Sequence, residues 1–262
     1  DVSFSNNKAV DGGGSIYLTE NGDSSLTDAI FDQSSSKYGG AIWESGGKLN
    51  ITGTEFKSCE SKTSSGGGQG GAIIVRASGE LSMVDVKFTN NVADYGGAIY
   101  AMSEAISSCD QCTLKNNTAT KEGGAAYFVS VNFLDDKEVI AFSNSVLTAN
   151  IAKEKGGTLS IVLSSITMND VEIRDSASAS GAAVALNTAK IKASDSVIAN
   201  HAAENRGGGF YAVESTVQFN RTTLQDISAK QDGGCIYAFS SILNIESSVL
   251  SRCTGDKGGA VF

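Results

Sequence analysis

Short runs of alternating apolar and polar residues recur along the whole chain. In KLNIT (48–52), Leu49 and Ile51 alternate with polar neighbours, and the same order returns at Leu81 and Met83. Glycine, asparagine and serine separate these runs. Alternation with a period of two predicts β-strands, and the period of 3.6 residues that helical repeats require is absent. The pattern therefore predicts an all-β protein.

The alternating runs belong to a sequence repeat marked by a glycine pair, with a degenerate serine–glycine pair filling one gap. The first residues of these pairs are Gly13, Gly39, Gly70, Gly96, Gly123, Gly156, Ser180, Gly207, Gly233 and Gly258. Successive markers lie 24 to 33 residues apart, most often close to 26. A repeat of this length with three short strands predicts a parallel β-helix, a solenoid of about ten coils that share one continuous core.

The ten repeats occupy residues 1–262, which predicts a single β-helix domain. Two segments exceed the repeat, residues 60–69 and about 129–138, and we expect both to protrude from the stack as loops. The chain starts at Asp1 on the edge of a repeat and stops at GGAVF. We therefore expect a mature product or a fragment of a longer chain.

One turn position of the repeat is occupied most often by asparagine. Stacked amide side chains at such a turn would hydrogen-bond from coil to coil and satisfy buried backbone groups. This structural ladder is predicted for Asn7, Asn91, Asn117, Asn150 and His201. His201 is the only histidine, and we interpret it as a substitute for asparagine, because no carboxylate or nucleophile is assigned beside it for acid–base chemistry.

A second column follows the glycine pair. The residue directly after the pair is small, the next is apolar and must face the core, and the third should point outward by alternation. Its aromatic members are Tyr17, Trp43, Tyr100, Tyr127, Tyr211, Tyr237 and Phe262. They either stack across coils to stabilise the sheet or form an adhesive stripe that contacts glycan or protein.

The five cysteines also fall on columns of the repeat. Cys109 and Cys112 form a CxxC motif, but both occupy inward columns, and no second CxxC supplies four zinc ligands. We expect small buried side chains there, with a disulfide as the alternative. Cys235 takes the small position after the glycine pair, and Cys59 and Cys253 take the asparagine position.

Charged residues concentrate in turns. Glu122 in ATKEGG and Lys155 in AKEKGG are interpreted as solvated corners. Asp135 and Asp136 on the second long loop are a candidate for a metal or acid–base site. Nucleotide-binding motifs and the calcium-binding nonapeptide are absent. No catalytic residue, metal site or cofactor is predicted.

Composition excludes some classes of partner. The net charge is -9, which disfavours binding to a nucleic-acid backbone. No apolar run approaches the roughly 20 residues that span a bilayer, so no transmembrane segment is expected in this chain. N-glycosylation motifs occur at Asn50, Asn116 and Asn220 and point weakly to a secretory route.

Two tetrapeptides in fixed order carry a family resemblance. FxxN occurs at 4–7 and 88–91, and GGAI occurs at 39–42, 70–73 and 96–99. Together they resemble the repeats of chlamydial polymorphic membrane proteins, over essentially all ten coils. The resemblance implies a right-handed β-helix at a cell surface, in a family of autotransporter passengers and adhesins.

These observations favour a non-enzymatic cell-surface or extracellular repeat protein that acts as an adhesive or structural rod. Its partners would be a protein or glycan at a surface, or other copies of the same solenoid. One alternative is a subunit of an extracellular filament or coat. Another is a carbohydrate-active β-helix enzyme, a lyase or hydrolase, although the paired aspartates with Gly-His-Gly and the aspartate cluster with an arginine base are not visible.

Overall fold

The structure is a computed structural model that describes residues 2–19, 22–103, 105–130 and 140–262. Within these residues every regular element is a β-strand, as the period-two alternation predicts. The described part of the chain contains no helix that could span a membrane.

The strands are short, mostly of four or five residues, because a corner interrupts each alternating run. In chain order they are β1 (Val2–Ser5), β2 (Ile16–Thr19), β3 (Asp23–Thr27), β4 (Ala29–Asp32), β5 (Ser35–Ser36), β6 (Ile42–Ser45), β7 (Lys48–Thr52), β8 (Glu55–Lys57), β9 (Glu60–Ser61), β10 (Ile73–Arg76), β11 (Glu80–Val84), β12 (Lys87–Thr89), β13 (Val92–Tyr95), β14 (Ile99–Met102), β15 (Ile106–Asp110), β16 (Thr113–Lys115), β17 (Thr118–Glu122), β18 (Ala126–Val129), β19 (Ile140–Thr148), β20 (Ile151–Ala152), β21 (Leu159–Val162), β22 (Ser165–Arg174), β23 (Ala177–Ser178), β24 (Val184–Asn187), β25 (Lys190–Ser194), β26 (Val197–Ala203), β27 (Phe210–Val213), β28 (Thr216–Asn220), β29 (Thr223–Ala229), β30 (Ile236–Phe239), β31 (Ile242–Glu246) and β32 (Val249–Thr254).

The strands stack into two parallel sheets that together form a β-solenoid. The nine-stranded sheet contains the strand that follows each glycine pair, in the order β2, β6, β10, β14, β18, β21, β24, β27 and β30. The remaining strands form a 23-stranded sheet that bends around the other sides of each coil. Val261 is bridged to Ile236 and begins a further coil. The predicted parallel β-helix of about ten coils is confirmed.

The interior is one continuous apolar core, because each column of inward residues stacks on itself. Phe4, Phe31, Phe56 and Phe88 stack face to face with ring centroids 4.5, 4.7 and 5.0 Å apart. Successive coils of a parallel stack lie about 4.8 Å apart, so rings in one column meet at stacking distance. No single coil could bury these faces without its neighbours.

The two glycines of each pair meet different requirements. Gly96 has φ +62°, in the left-handed region where a Cβ is costly. Gly97 has an ordinary φ, but a Cβ there would lie 2.1 Å from the carbonyl oxygen of Gly124 in the next coil. The first glycine therefore serves the turn, and the second serves the close approach of adjacent coils.

One coil departs from the register expected at Ser180. Gly181, not Ser180, carries the positive φ of +61°, and the Thr158 N–H donates to the carbonyl of Ala183. The marker at Ser180 is therefore wrong by one residue: Gly181 and Ala182 occupy the two positions of the glycine pair. Consequently Ala185, not Val184, occupies the outward column.

The structure corrects the expectation for the cysteines. Cys109 and Cys112 are joined by a disulfide, as are Cys235 and Cys253, whereas Cys59 is a buried free thiol. The first pair spans one corner. The second pair joins two coils, because the small column of one coil faces the asparagine column of the next. Burial raises the pKa of the Cys59 thiol to about 11, so the thiol is inert at neutral pH.

The first insertion is a loop that folds along the solenoid. After β9, the Thr63 hydroxyl accepts a hydrogen bond from the Gly67 N–H at 2.7 Å. Lys121, two coils further along the chain, donates from Nζ to the Gly66 carbonyl at 2.6 Å. Of the second predicted loop, residues 131–138 lie outside the described residues, as do Asp135 and Asp136.

Candidate binding face

The outer face of the nine-stranded sheet carries the predicted aromatic column. In β14, Ile99 and Ala101 lie in the core, so Tyr100 between them points to the opposite face. Where adjacent coils both carry an aromatic residue in this column, parallel register places the two rings side by side. The stacked pairs are Tyr17–Trp43, Tyr100–Tyr127, Tyr211–Tyr237 and Tyr237–Phe262, with ring centroids 5.3 to 5.4 Å apart.

Access to these rings is uneven. Tyr17 is 56% exposed and Phe262 47%, but Tyr100 and Tyr237 retain only 6% and 7%. Tyr100 and Tyr237 therefore point outward as predicted by alternation but offer little accessible ring surface. Tyr237 lies between two stacked rings, and burial raises the pKa of Tyr100 to about 12. The column both stabilises the sheet and exposes some of its surface.

Cations lie over several of these rings. The guanidinium carbons of Arg76 and Arg206 lie 5.1 Å and 5.2 Å from the ring centroids of Trp43 and Tyr237. These distances fall within the roughly 6 Å range of cation–π attraction. The face therefore combines aromatic rings with positive charge, although the chain as a whole is acidic.

The aromatic column is interrupted by the single residue Ile74 and, more widely, in two adjacent coils. Ser160 and Ala185 align with Tyr127 on one side and Tyr211 on the other. Their short side chains leave a notch of about 260 Å³ between the two tyrosines. Glu122, whose interpretation as a solvated corner is incomplete, accepts a hydrogen bond from the Ser160 hydroxyl at 2.9 Å.

The edge of the notch is formed by the residues that precede the glycine pairs. Glu122 and Lys155 occupy this column in successive coils, where they pair as an isolated parallel bridge. The Lys155 ammonium lies 5.8 Å from the ring centroid of Tyr211, two coils further along. Burial and the neighbouring Glu122 carboxylate raise the pKa of Tyr127. The sequence carries one signal for this notch, Ser160 in an aromatic column; Ala185 enters the column only in the register of the structure.

The predicted asparagine ladder runs through a turn between two strands of the 23-stranded sheet. Asn117 Nδ2 donates to Asn150 Oδ1 and to the Phe88 carbonyl, both at 3.1 Å. Its Oδ1 accepts from the backbone N–H and Nδ2 of Asn91, both at 3.0 Å. Asn91, Asn117 and Asn150 are buried, so these bonds satisfy groups that water cannot reach. Asn7 Nδ2 donates instead to the Ser15 hydroxyl at 3.1 Å.

His201 makes the contacts of an asparagine in this column. Its Nδ1 accepts from the Ser176 N–H at 3.2 Å, and Nε2 lies 3.1 Å from the Ile173 carbonyl. Asn91 makes the equivalent pair of bonds, to the Cys59 N–H and the Phe56 carbonyl. Burial lowers the pKa of His201 to about 4, so the ring is neutral, with its proton on Nε2. Both nitrogens are engaged by backbone groups.

The three glycosylation motifs differ in exposure. Asn116 is exposed in a turn with φ +56°, next to the buried Asn117. Asn50 in β7 and Asn220 at the end of β28 are half-buried. Asn116 is thus the most accessible of the three candidates. Among the described residues, no group of three His, Cys, Asp or Glu side chains could hold a metal ion.

The fold and this face define a β-solenoid repeat protein with an aromatic outer face. Three segments, residues 1–19, 85–102 and 111–129, match the model of the Chlamydia polymorphic membrane protein (Chlamydia_PMP) repeat. The suspected resemblance is thereby confirmed: the chain contains repeats of this type, matched over about a fifth of its length. No curated protein matches the chain. The repeat type and the solenoid fold fit a surface repeat protein.

Proposed function

We propose that the protein is a non-enzymatic rod at a cell surface or outside the cell, and that the aromatic face of its nine-stranded sheet contacts protein or glycan. The observation that carries this proposal is the outward aromatic column on a solenoid with repeats of the polymorphic membrane protein type. Exposed aromatic groups beside cations supply contact area and stacking surface, which are common in binding sites.

The best-exposed part of this face lies in the first coils. Tyr17 stacks on Trp43, and Tyr38 meets the same indole edge-on at 6.0 Å between centroids. Lys37 Nζ lies 5.0 Å from the Tyr38 centroid. This cluster is distant from the notch, so the two can be tested separately.

Adhesion of beads coated with the protein to a panel of cultured cells and matrix proteins tests the proposal. We expect the double variant Tyr17→Ser and Tyr38→Ser to reduce bead retention at least threefold, because it removes ring surface from this cluster. The matched control replaces Ile30 and Val146 with serine; both are exposed, at 45% and 40%, on the other sheet. Equal retention by both double variants would refute the proposal.

The absence of catalysis is part of the proposal. The occupied nitrogens of His201 support it, because an imidazole held by two backbone groups is not available as a general base. Incubation with a panel of neutral and acidic polysaccharides, followed by assay of new reducing ends or unsaturated products, should show no cleavage. Cleavage would instead favour the enzyme alternative, and concentration-dependent end-to-end association in light scattering would favour a filament subunit.

A further inference from the structure

The notch lies where the aromatic column lacks two rings. Tyr127 stacks on Tyr100 on one side, and Tyr211 stacks on Tyr237 on the other. The facing sides of Tyr127 and Tyr211 are three coil steps apart, or about 14 Å at the usual spacing of parallel strands. Where rings of this column occupy adjacent coils, as Tyr100 and Tyr127 do, their centroids are 5.3 Å apart. The gap therefore has room for inserted rings that would continue the stack.

The sides of the notch are polar and carry both signs of charge. Glu122 and Lys155 line one side, and Asn187 lies at the other. The Ser160 hydroxyl at the floor already donates to Glu122. Carboxylate, ammonium and amide groups together can donate and accept hydrogen bonds around the edge of a ring held between two tyrosines.

These features select the class of ligand. A volume of about 260 Å³ lies below the roughly 300 Å³ at which pockets for drug-sized ligands begin, so the notch suits one or two rings. An aromatic side chain would leave the polar edge unpaired, at a desolvation cost. An acidic sugar is disfavoured by Glu122 and by the net charge of -9. A neutral pyranose has apolar C–H faces and hydroxyl edges, and so matches both surfaces.

We propose that the notch between Tyr127 and Tyr211 binds a neutral pyranose residue of a glycan. The sugar ring packs against a tyrosine face, where its C–H groups meet the negative face of the ring. Its equatorial hydroxyls reach Glu122 and Lys155 on one side and Asn187 on the other. This deepens the proposed function by naming a ligand class for one part of the aromatic face.

The experiment uses methyl glycosides of glucose, galactose, mannose and N-acetylglucosamine with the full chain. Saturation-transfer NMR detects binding, and titration of amide shifts gives the affinity. Ala185→Tyr should lower the affinity of the bound glycoside at least tenfold, because the new ring continues the stack from Tyr211 into the notch. Ala185→Ser, which keeps the notch, should bind like the parent chain. Ser108→Tyr, on the outer side of the other sheet, should do the same.

A second variant removes both charges from the edge, and the ammonium donor with them, without filling the notch. Glu122→Gln with Lys155→Met keeps similar volume and should also lower affinity at least tenfold, with thermal unfolding used to verify the fold. Failure of every glycoside to bind at tens of millimolar would overturn the proposal. So would binding that Ala185→Tyr leaves unchanged, or binding of indole and tyrosine derivatives alone.

The bead assay separates this proposal from the proposed function. If Ala185→Tyr abolishes glycoside binding while bead retention persists, the notch assignment stands and adhesion uses other parts of the face. If glycosides fail to bind while retention still depends on Tyr17 and Tyr38, only the notch assignment is lost.

Discussion

His201 replaces an asparagine because two ring nitrogens can reproduce one amide. An amide offers an acceptor oxygen and a donor nitrogen, and neutral imidazole offers an acceptor and a donor at similar separation. The column requires both, one for the Ser176 N–H and one for the Ile173 carbonyl. Protonation would remove the acceptor, so the buried site retains only the neutral ring.

The depressed pKa of His201 gives its stability contribution a defined pH dependence. In the unfolded chain the group titrates near 6.5, and in the folded chain near 4. Between these values the unfolded chain binds the proton and the folded chain does not, so the free energy of unfolding falls as pH decreases. His201→Asn should remove up to about 3 kcal/mol of this loss and change stability at pH 7 by less than about 1 kcal/mol.

Denaturant unfolding of His201→Asn and the parent chain at pH 7.5 and pH 4.5 checks this prediction. Asn200→Ser is a suitable control, because Asn200 is exposed beside the ladder. An unchanged pH dependence in His201→Asn would show that His201 is not held neutral.

Glu44 is a carboxyl group at an inward position. In β6 it aligns with Leu18 and Val75, both in the inward column, and is 1% exposed. Oε1 accepts from the Gly47 N–H at 2.6 Å, whereas Oε2 has no hydrogen-bond partner. Desolvation raises the pKa of Glu44 to about 7, opposed by the bond from Gly47. The hydrogen bond from the Gly47 N–H stabilises the turn after β6, but the buried carboxylate carries a desolvation cost when it is ionised.

The sign for Glu44 is opposite to that for His201. Between pH 4.5 and about 7 the folded chain holds a proton that the unfolded chain has lost, so stability decreases as pH rises through this range. Glu44→Gln keeps the acceptor for Gly47 and should be more stable than the parent chain at pH 8, by roughly 1–3 kcal/mol, and similar at pH 4.5. Denaturant unfolding at both pH values measures this. Glu80→Gln serves as control, because Glu80 is half-buried and pairs with Lys48 on the outer face of the other sheet; a matching gain there would contradict the explanation.

At the scale of elements, one contact recurs between adjacent coils: the small residue after a glycine pair faces the asparagine column of the next coil. Where both residues are hydroxylic, they hydrogen-bond, as in Ser15 with Ser34 at 2.7 Å and Thr158 with Ser176 at 2.6 Å. Where both are cysteine, they form the Cys235–Cys253 disulfide. The same pair of backbone positions thus accommodates either two hydrogen-bonded hydroxyls or a disulfide.

This equivalence predicts the result of removing the disulfide. Replacing both Cys235 and Cys253 with serine should retain the fold, because the hydroxyls can pair as they do elsewhere. Loss of the cross-link, which spans a sequence separation of 18, should cost about 3 kcal/mol in the last coils. Hydrogen exchange of β30 to β32 should therefore accelerate, while β6 to β14 remain unaffected. The same acceleration in both regions would contradict a local role.

At the scale of the whole molecule, the strands of each coil pair with those of the adjacent coils, so stability accumulates along one dimension. Surface ion pairs follow the same spacing: Asp195 with Arg221 and Asp226 with Arg252 each join adjacent coils across 26 residues. Both pairs are exposed and contribute little individually. The core, the hydrogen-bonded ladder and the close approach at the glycine pairs determine the stack.

Much of this architecture was predictable from particular residues. The alternation of Leu49 and Ile51 predicts a strand, and the recurrence of paired glycines predicts a stack of coils. The asparagine spacing also points to a ladder of the kind that Asn91, Asn117 and Asn150 form. The exposure of individual rings was not predictable, because Tyr237 is buried by the rings of two other coils.

There is a physical reason why the amino-acid order specifies some features of this protein and only the tertiary structure decides others. Strand positions, corner residues and the inward or outward direction of side chains depend on neighbours along the chain, so the amino-acid order alone specifies them. Contacts between coils depend on register across some 26 residues, where a shift of one residue, as at Gly181, moves each side chain to the other face. The Cys235–Cys253 bond, the burial of Glu44 and the notch at Ser160 and Ala185 therefore became visible only in the stacked solenoid.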